Sequence, residues 1–167
     1  NGKFIADYPE YTDAEVNKII SAVNEDAQRW KKTSFSDRGK LFQKASTLLR
    51  QKKKALARTI SLEMGKPISE SIAEIEKSAW VCDYYAEKAA ALLADETINS
   101  DATKSFVSFE PIGIILSVMP WNFPYWQVFR FAAPALMAGN AAVLKHASNV
   151  QGCAAEIEGI FKEAGFP

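Results

Sequence analysis

The sequence has 167 residues, 48% of them hydrophobic, and its 20 basic residues balance 20 acidic residues. This composition is typical of a soluble globular chain that is able to bury a core, and the balanced charge gives no indication of nucleic-acid binding. The one dense basic run, Lys52–Lys54, is interpreted as the solvated face of a helix.

The two cysteines, Cys82 and Cys153, form neither a disulfide framework nor the spacing of a metal site. We therefore expect no bound metal and a reducing, cytoplasmic compartment. The apolar stretch 111–144 is interrupted by prolines, by Asn122 and by Arg130. Because no run of ~20 apolar residues remains, we expect no membrane span.

The first half of the chain contains three segments with the apolar periodicity of an amphipathic helix, after a turn-rich lead-in at residues 1–11. We predict helices at about residues 13–30, 36–60 and 68–93. Thr12 or Asp13 is suited to cap the first helix, and Gly-Lys-Pro at 65–67 ends the second. Cys82 lies on the apolar stripe of the third helix, so we interpret it as a structural residue.

The segment between the third helix and Glu110 predicts a β-hairpin. A short extended piece at Thr97-Ile98 is followed by a polar turn and by the alternating sequence Ser105–Phe109. Alternation of apolar and polar residues is the pattern of a strand with one covered face. We therefore predict two short strands joined by that turn.

The last third of the chain predicts a βαβ unit. Its elements are a strand at 114–118, a helix at 124–138, a strand at 141–144 and a last helix that begins near Asn149. The first apolar run suits a strand covered on both faces, Pro120 ends it, and Pro124 suits the first helical position. Because βαβ crossovers are right-handed, both strands end at one edge, and we expect Asn122 and Lys145 to face the same crevice.

Three motifs in this region carry a family resemblance. Met119–Pro124 reads Met-Pro-Trp-Asn-Phe-Pro, residues 138–141 read Ala-Gly-Asn-Ala, and the next strand ends in Leu-Lys. In this order they resemble the aldehyde dehydrogenase superfamily, and the resemblance extends over nearly the whole chain. Residues Lys145–Asn149 most resemble members that act on succinate semialdehyde and similar small aldehydes.

The resemblance implies an incomplete α/β fold made of N-terminal helices, a protruding hairpin and the first βαβ unit of a Rossmann-like domain. Residues 1–95 would be the helical part of the cofactor-binding domain, and residues 111–167 the start of its NAD(P)-binding unit. The hairpin, residues 96–110, would form a homo-oligomer, with Phe106 or Phe109 facing another subunit. The family's nucleophilic Cys, general-base Glu and glycine-rich motif find no match here, so the chain alone is expected to be inactive.

The resemblance also implies the roles of individual residues. Asn122 would donate its side-chain amide to the oxyanion of the reacting aldehyde. Lys145 would bind the adenosine ribose of NAD or NADP, and Ser148 would leave room for a 2′-phosphate where many NAD-preferring relatives carry Glu. His146, at a position that more often holds Pro, would make a cofactor-side contact. The nicotinamide half of the cleft would be lined by Val118, Met119, Pro120, Trp121 and Asn122.

The helix after the motif would supply the substrate side. Arg130, the only charge between Glu110 and Lys145, would need a partner if buried, and by resemblance it supports the active-site carboxylate or an acidic substrate. Trp126 and Gln127 would face the substrate tunnel. The alternative to a part of an NAD(P)-dependent aldehyde dehydrogenase is a truncated, non-catalytic module that acts through subunit association.

Overall fold

The computed structural model describes residue 4 and residues 6–167, so that residues 1–3 and 5 of the predicted lead-in lie outside the described residues. This part of the chain forms an α/β fold. Its helices are α1 (Asp13–Trp30), α2 (Phe35–Met64), α3 (Ile68–Leu92), α4 (Trp126–Met137) and α5 (Gln151–Ala164). Its strands are β1 (Glu96–Thr97), β2 (Phe106–Val107), β3 (Ile114–Val118) and β4 (Ala141–Lys145). No helix of the described chain is both long enough and apolar enough to cross a membrane.

Short-range signals in the sequence set the first helix boundaries. In a capping box at the start of α1, the amide of Thr12 donates to Glu15 Oε2 at 2.8 Å, and the amide of Glu15 donates to Thr12 Oγ1 at 3.3 Å. Ser34 caps α2, which therefore begins slightly before the predicted residue 36. Gly65 ends α2 with a φ of 75°, a left-handed conformation that glycine adopts without steric cost. The three predicted helices are confirmed.

Helices α2 and α3 form the centre of the core. Three residues connect them, and they pack against each other through side chains that include Phe42, Leu49, Ile75 and Cys82, all fully buried. The structural interpretation of Cys82 is thus confirmed. Tight packing of this kind supplies most of the stability of a helix in a globular protein.

Helix α1 is only partly packed, in contrast to the single buried stripe that its periodicity predicts. Ala27 and Trp30 are buried, and Trp30 Nε1 donates to the carbonyl of Leu136 in α4 at 2.9 Å. The apolar residues nearer the start of the helix, Val16 and Ile19 among them, are exposed. Only the last turns of α1 therefore contact the described core.

The predicted βαβ unit is present. Strands β3 and β4 are parallel, with Ile114 opposite Ala141 and Val118 opposite Lys145, and α4 connects them. Helix α5 follows β4 and packs on α2. Aromatic rings close the core between these helices, and Phe129 of α4 stacks on Phe161 of α5 with ring centroids 5.2 Å apart.

Two predictions about this unit were wrong in detail. Leu116 and Val118 of β3 are 66% and 64% exposed, because no described element packs over that face of the strand. Helix α4 begins at Trp126 rather than at Pro124, although the amide of Gln127 already donates to the carbonyl of Phe123 at 3.0 Å. The helix starts later because its cap comes from Glu74 of α3, which binds the amides of Tyr125 and Trp126.

The predicted hairpin forms with shorter strands than its sequence pattern indicates. Strands β1 and β2 are antiparallel, with Glu96 opposite Val107 and Thr97 opposite Phe106. Every residue from 94 to 110 is exposed except Ser105, which is half-buried. The hairpin therefore presents apolar side chains, Phe106 and Phe109 included, to solvent.

Candidate active site

The loop between β3 and α4 leaves the sheet at the edge where both strands end. The amide of Met119 donates to the carbonyl of Lys145 at 3.0 Å, which continues the pairing of the two strands by one step. The chain then passes through Asn122, which is exposed, and enters α4. The carboxyl edge of a parallel sheet is where α/β proteins bind ligands. We refer to residues 119–125 as the site loop.

A residue from another helix caps α4. Glu74 of α3 accepts hydrogen bonds on Oε1 from the amides of Tyr125 at 2.8 Å and Trp126 at 3.0 Å. The helix receives no cap from a side chain of its own N-cap residue. Since the N-terminus of a helix carries a partial positive charge, a carboxylate is well suited to this position. Asn122 is therefore not needed as a cap, and its amide remains exposed.

Lys66 completes the contacts of Glu74. Its ammonium group pairs with Glu74 Oε2, and only 6% and 1% of the two side chains are exposed. The same ammonium group lies 3.7 Å from the ring centroid of Phe123, in a cation–π contact. Buried charges of opposite sign and a ring of the site loop thus form one cluster. Neither Lys66 nor Glu74 was predicted from the sequence to be a site residue.

His146 anchors the site loop from the other side. The amide of Ala147 donates to its Nδ1 at 2.8 Å, so Nε2 carries the proton and donates to the carbonyl of Pro124 at 2.9 Å. Burial lowers the pKa of this imidazole below its usual value, which favours the neutral ring. Both ring nitrogens are occupied and the residue is buried. In this arrangement His146 supports the site loop through the carbonyl of Pro124, and its contact with the cofactor stays a prediction.

An open cavity of about 480 Å³ lies between α3 and the start of α4. Its lining from α3 consists of Glu70, Ala73, Glu74 and Lys77. Its lining from the site loop and α4 consists of Asn122, Phe123, Trp126, Gln127 and Arg130. Lys77 Nζ lies 4.1 Å from the ring centroid of Trp126. The residues predicted for the oxyanion and for the substrate side are therefore brought together around one cavity.

Arg130 is exposed, so it does not need the partner that a buried charge would require. Its Nη2 donates to Gln127 Oε1 at 2.8 Å. Because Gln127 is neutral, the guanidinium charge is not neutralised by this contact. The guanidinium group of Arg130 therefore lines the cavity as a positive charge that an anionic group can bind.

The predicted cofactor residues occupy the carboxyl edge of the sheet. The exposed ones are Val118, Pro120, Trp121, Lys145 and Ser148, and Met119 is half-buried. The Lys145 ammonium and the Ser148 hydroxyl are donors that suit ribose hydroxyls or a phosphate. Within residues 6–167 and residue 4, no group of three or more His, Cys, Asp or Glu side chains is arranged for a metal ion.

Neither cysteine has the setting of a nucleophile. Cys82 and Cys153 are buried, and burial raises the pKa of both thiols far above its usual value. A thiol rather than a thiolate is therefore present at neutral pH, and a thiol is a weak nucleophile. The amides of Gly152 and Cys153 donate to the two carboxylate oxygens of Glu63 at 2.7 and 2.9 Å, which caps α5.

Comparison with known proteins gives a consistent assignment for this arrangement. The whole chain, residues 1–167, matches the profile of the group described as the aldehyde dehydrogenase family. It is 49% identical to a probable NADP(+) succinate-semialdehyde dehydrogenase of Synechocystis sp., over 99% of this chain and 37% of that protein. It is 44% identical to the NAD(P)+ succinate semialdehyde dehydrogenase Sad of Escherichia coli, over 83% of this chain and 30% of that protein.

A solved structure agrees with these relatives. The succinic semialdehyde dehydrogenase of Streptococcus pyogenes, in complex with NADP+ as the cofactor, superposes with a TM-score of 0.92 at 30% identity. The superposition covers 96% of this chain and 36% of that one. The chain thus spans about a third of the length of these relatives.

Proposed function

The chain belongs to the aldehyde dehydrogenase family, and we propose that it is part of an NAD(P)-dependent enzyme that oxidises a small aldehyde to its carboxylic acid. The observation that carries this proposal is the position of Asn122. Its exposed amide lies on a supported loop, at the carboxyl edge of the sheet and at the rim of a cavity. A neutral donor held in this way suits an oxygen atom that gains negative charge during a reaction.

The proposed role of Asn122 follows from the chemistry of the reaction. When a thiolate adds to an aldehyde, the carbonyl oxygen becomes an oxyanion, and a hydrogen bond from a fixed amide stabilises that charge. The thiolate comes from a residue outside this chain, since Cys82 and Cys153 are buried. NAD or NADP, when bound at the carboxyl edge, would supply the acceptor for the hydride that the aldehyde carbon loses. The contribution of this chain is to hold the amide in place before the charge develops.

The cofactor side of the proposal involves the exposed carboxyl edge. Lys145 hydrogen-bonds the ribose hydroxyls, and the small Ser148 leaves room for the 2′-phosphate of NADP. Val118, Met119, Pro120 and Trp121 line the nicotinamide half. The relatives whose names include NADP(+) or NAD(P)+ support the use of NAD or NADP. His146 contributes indirectly, through the carbonyl of Pro124.

The substrate side of the proposal involves the cavity next to Asn122. Trp126 and Gln127 form its wall, and the exposed guanidinium of Arg130 binds the distal carboxylate of an acidic aldehyde. The names of the relatives, which specify succinate semialdehyde, support a substrate of this class. Outside the cavity, the exposed hairpin is the proposed surface for association with further copies of the protein.

The test uses the complete gene product. We expect it to produce NAD(P)H from NAD(P) in the presence of succinate semialdehyde, and Asn122→Ala to lower kcat by about 10²- to 10³-fold. Asn24→Ala, an exposed substitution in α1, serves as the control and is expected to leave kcat unchanged. A complete product that oxidises no small aldehyde would disprove the proposal and favour a module that acts through association alone.

A further inference from the structure

We propose that Glu74 and Lys66 act as a positioning pair that fixes the site loop and thereby sets the location of the Asn122 amide. The proposal rests on the proposed function, because it concerns how the oxyanion donor is held. Both side chains are almost fully buried. Both act through the backbone and a ring of the loop, so they are positioning residues rather than catalytic ones.

The two carboxylate oxygens of Glu74 have different partners. Oε1 accepts the amides of Tyr125 and Trp126, at 2.8 and 3.0 Å, while Oε2 pairs with Lys66. Hydrogen bonds to an ionised acceptor are roughly twice as strong as neutral ones. The carboxylate therefore fixes the end of the loop where it becomes α4. Helix α3, which carries Glu74 on its buried face, supplies that fixed point.

Lys66 also contacts the site loop directly, through the ring of Phe123. The ammonium group lies 3.7 Å from the ring centroid of Phe123, the residue directly after Asn122. Phe123 is itself 44% exposed, so packing alone does not determine its orientation. Since Asn122 is also exposed, the direction of its side chain depends on how the backbone next to it is held.

A buried ion pair such as that of Lys66 and Glu74 is a poor source of stability. The cost of removing two charges from water is often as large as their mutual attraction, so apolar residues of similar volume can replace such pairs without loss. Lys66 and Glu74 are nevertheless almost fully buried next to the cavity. A role in fixing geometry accounts for this placement, and pure stabilisation does not.

Helix α5 offers a matched control. Glu63 caps α5 with the same chemistry, through the amides of Gly152 and Cys153 at 2.7 and 2.9 Å, and in the described chain none of its hydrogen bonds goes to the site loop. Replacing either glutamate by alanine removes a carboxylate from a helix N-terminus. Both variants therefore lose a helix cap, and Glu74→Ala also leaves Lys66 without its buried partner. Only Glu74→Ala loosens the support of Asn122.

The experiment is a double-mutant cycle in the complete enzyme with succinate semialdehyde. Because a misplacement of about 1 Å can cost about 10²-fold in rate, we expect Glu74→Ala to lower kcat to about that extent. Glu63→Ala is expected to keep kcat within about twofold, although the variant loses the cap of α5 and is therefore less stable. In an Asn122→Ala background, Glu74→Ala is expected to have no further effect on kcat, because the donor that it positions is gone.

Two results would overturn the proposal. One is an unchanged kcat in Glu74→Ala. The other is a double variant whose loss in kcat equals the product of the losses in Glu74→Ala and Asn122→Ala. If Glu74→Ala does not fold, Lys66→Met replaces it in the double-mutant cycle. Its kcat is expected to fall by about tenfold, because the ammonium contact with Phe123 is lost. A complete enzyme without any aldehyde oxidation would instead count against the proposed function, so the two failures are distinguishable.

Discussion

Gly152 illustrates how little space the start of α5 leaves for a side chain. A Cβ atom at this position would lie 2.6 Å from Glu63 Oε1, the atom that accepts the Gly152 amide, and 3.1 Å from the hydroxyl of Tyr8. The side chain that caps α5 would therefore have to move. At Gly159, in the same helix, a Cβ would meet nothing within 4 Å.

This difference gives a prediction of opposite sign for two similar substitutions. Gly152→Ala is expected to lower the free energy of unfolding by about 1–2 kcal/mol, since it displaces a cap. Gly159→Ala is expected to raise it by about 0.4–1 kcal/mol, because alanine restricts the unfolded chain. Urea denaturation of both variants tests this. Equal shifts in the two midpoints would contradict the role assigned to Glu63.

His146 predicts a pH-dependent contribution to stability. The folded protein holds the ring neutral, mainly because burial lowers its pKa, whereas the ring in the unfolded chain titrates near 6.5. A second proton would also prevent Nδ1 from accepting the Ala147 amide. The contribution of His146 is therefore complete above pH 6.5 and is lost as the pH falls below that value.

The variant His146→Gln tests this dependence, because glutamine can still donate to the carbonyl of Pro124 but does not titrate. Titrations that are common to the two proteins cancel in the difference. We expect the unfolding free energy of the wild type to fall more steeply than that of the variant between pH 7.5 and 5. Parallel pH profiles from thermal denaturation would argue against a neutral, buried imidazole.

At the scale of elements, α4 and α5 are both capped by carboxylates from other helices. Glu74 near the start of α3 caps α4, and Glu63 near the end of α2 caps α5. Tyr125 adds a further connection, since its hydroxyl donates to Glu156 Oε2 at 2.7 Å while Thr59 donates to Oε1 at 2.8 Å. The helical layer and the βαβ unit are thus joined by specific polar contacts as well as by the apolar core.

These cross-connections explain which parts of the structure could be predicted. Local signals were sufficient for the boundaries of the first helices and for the parallel strand pair, since caps, glycines and apolar runs act within a few residues. The start of α4 was predicted two residues early, because its cap comes from α3, about fifty positions away in the sequence. No local pattern could show that contact.

One signal for Glu74 was nevertheless present in the sequence. Glu74 lies on the buried face of α3, with Ser71 and Ser78 three and four positions away, all three buried. A charge among small polar residues on an otherwise apolar stripe requires a buried partner. The stripe indicates that such a partner exists, but only the fold identifies it as Lys66 and the start of α4.

At the scale of the whole molecule, the described chain leaves two apolar surfaces uncovered. One is the outer face of β3, where Leu116 and Val118 are exposed. The other is the hairpin, whose exposed apolar residues are Ile98, Phe106, Val107 and Phe109. The periodicity of a strand predicts which side chains share a face, but it does not predict whether anything covers that face. Coverage of β3 was therefore predicted incorrectly.

The hairpin leads to a prediction about assembly. A two-stranded hairpin is at best marginally stable in water unless its apolar side chains pack on something. Since Phe106 and Phe109 are 45% and 44% exposed, a second copy of the protein is the proposed cover. We expect the Phe106→Ser, Phe109→Ser double variant of the complete protein to form a smaller oligomer than the wild type, as measured by light scattering.

Ser108→Ala is the control for this variant, because it lies between the two aromatic positions and is also exposed. It is expected to keep the wild-type mass. An unchanged mass in the aromatic variant would exclude the hairpin as the interface. Asn122 lies outside the hairpin. A dissociated variant that retains kcat would therefore further indicate that the geometry of the site loop is maintained within one subunit.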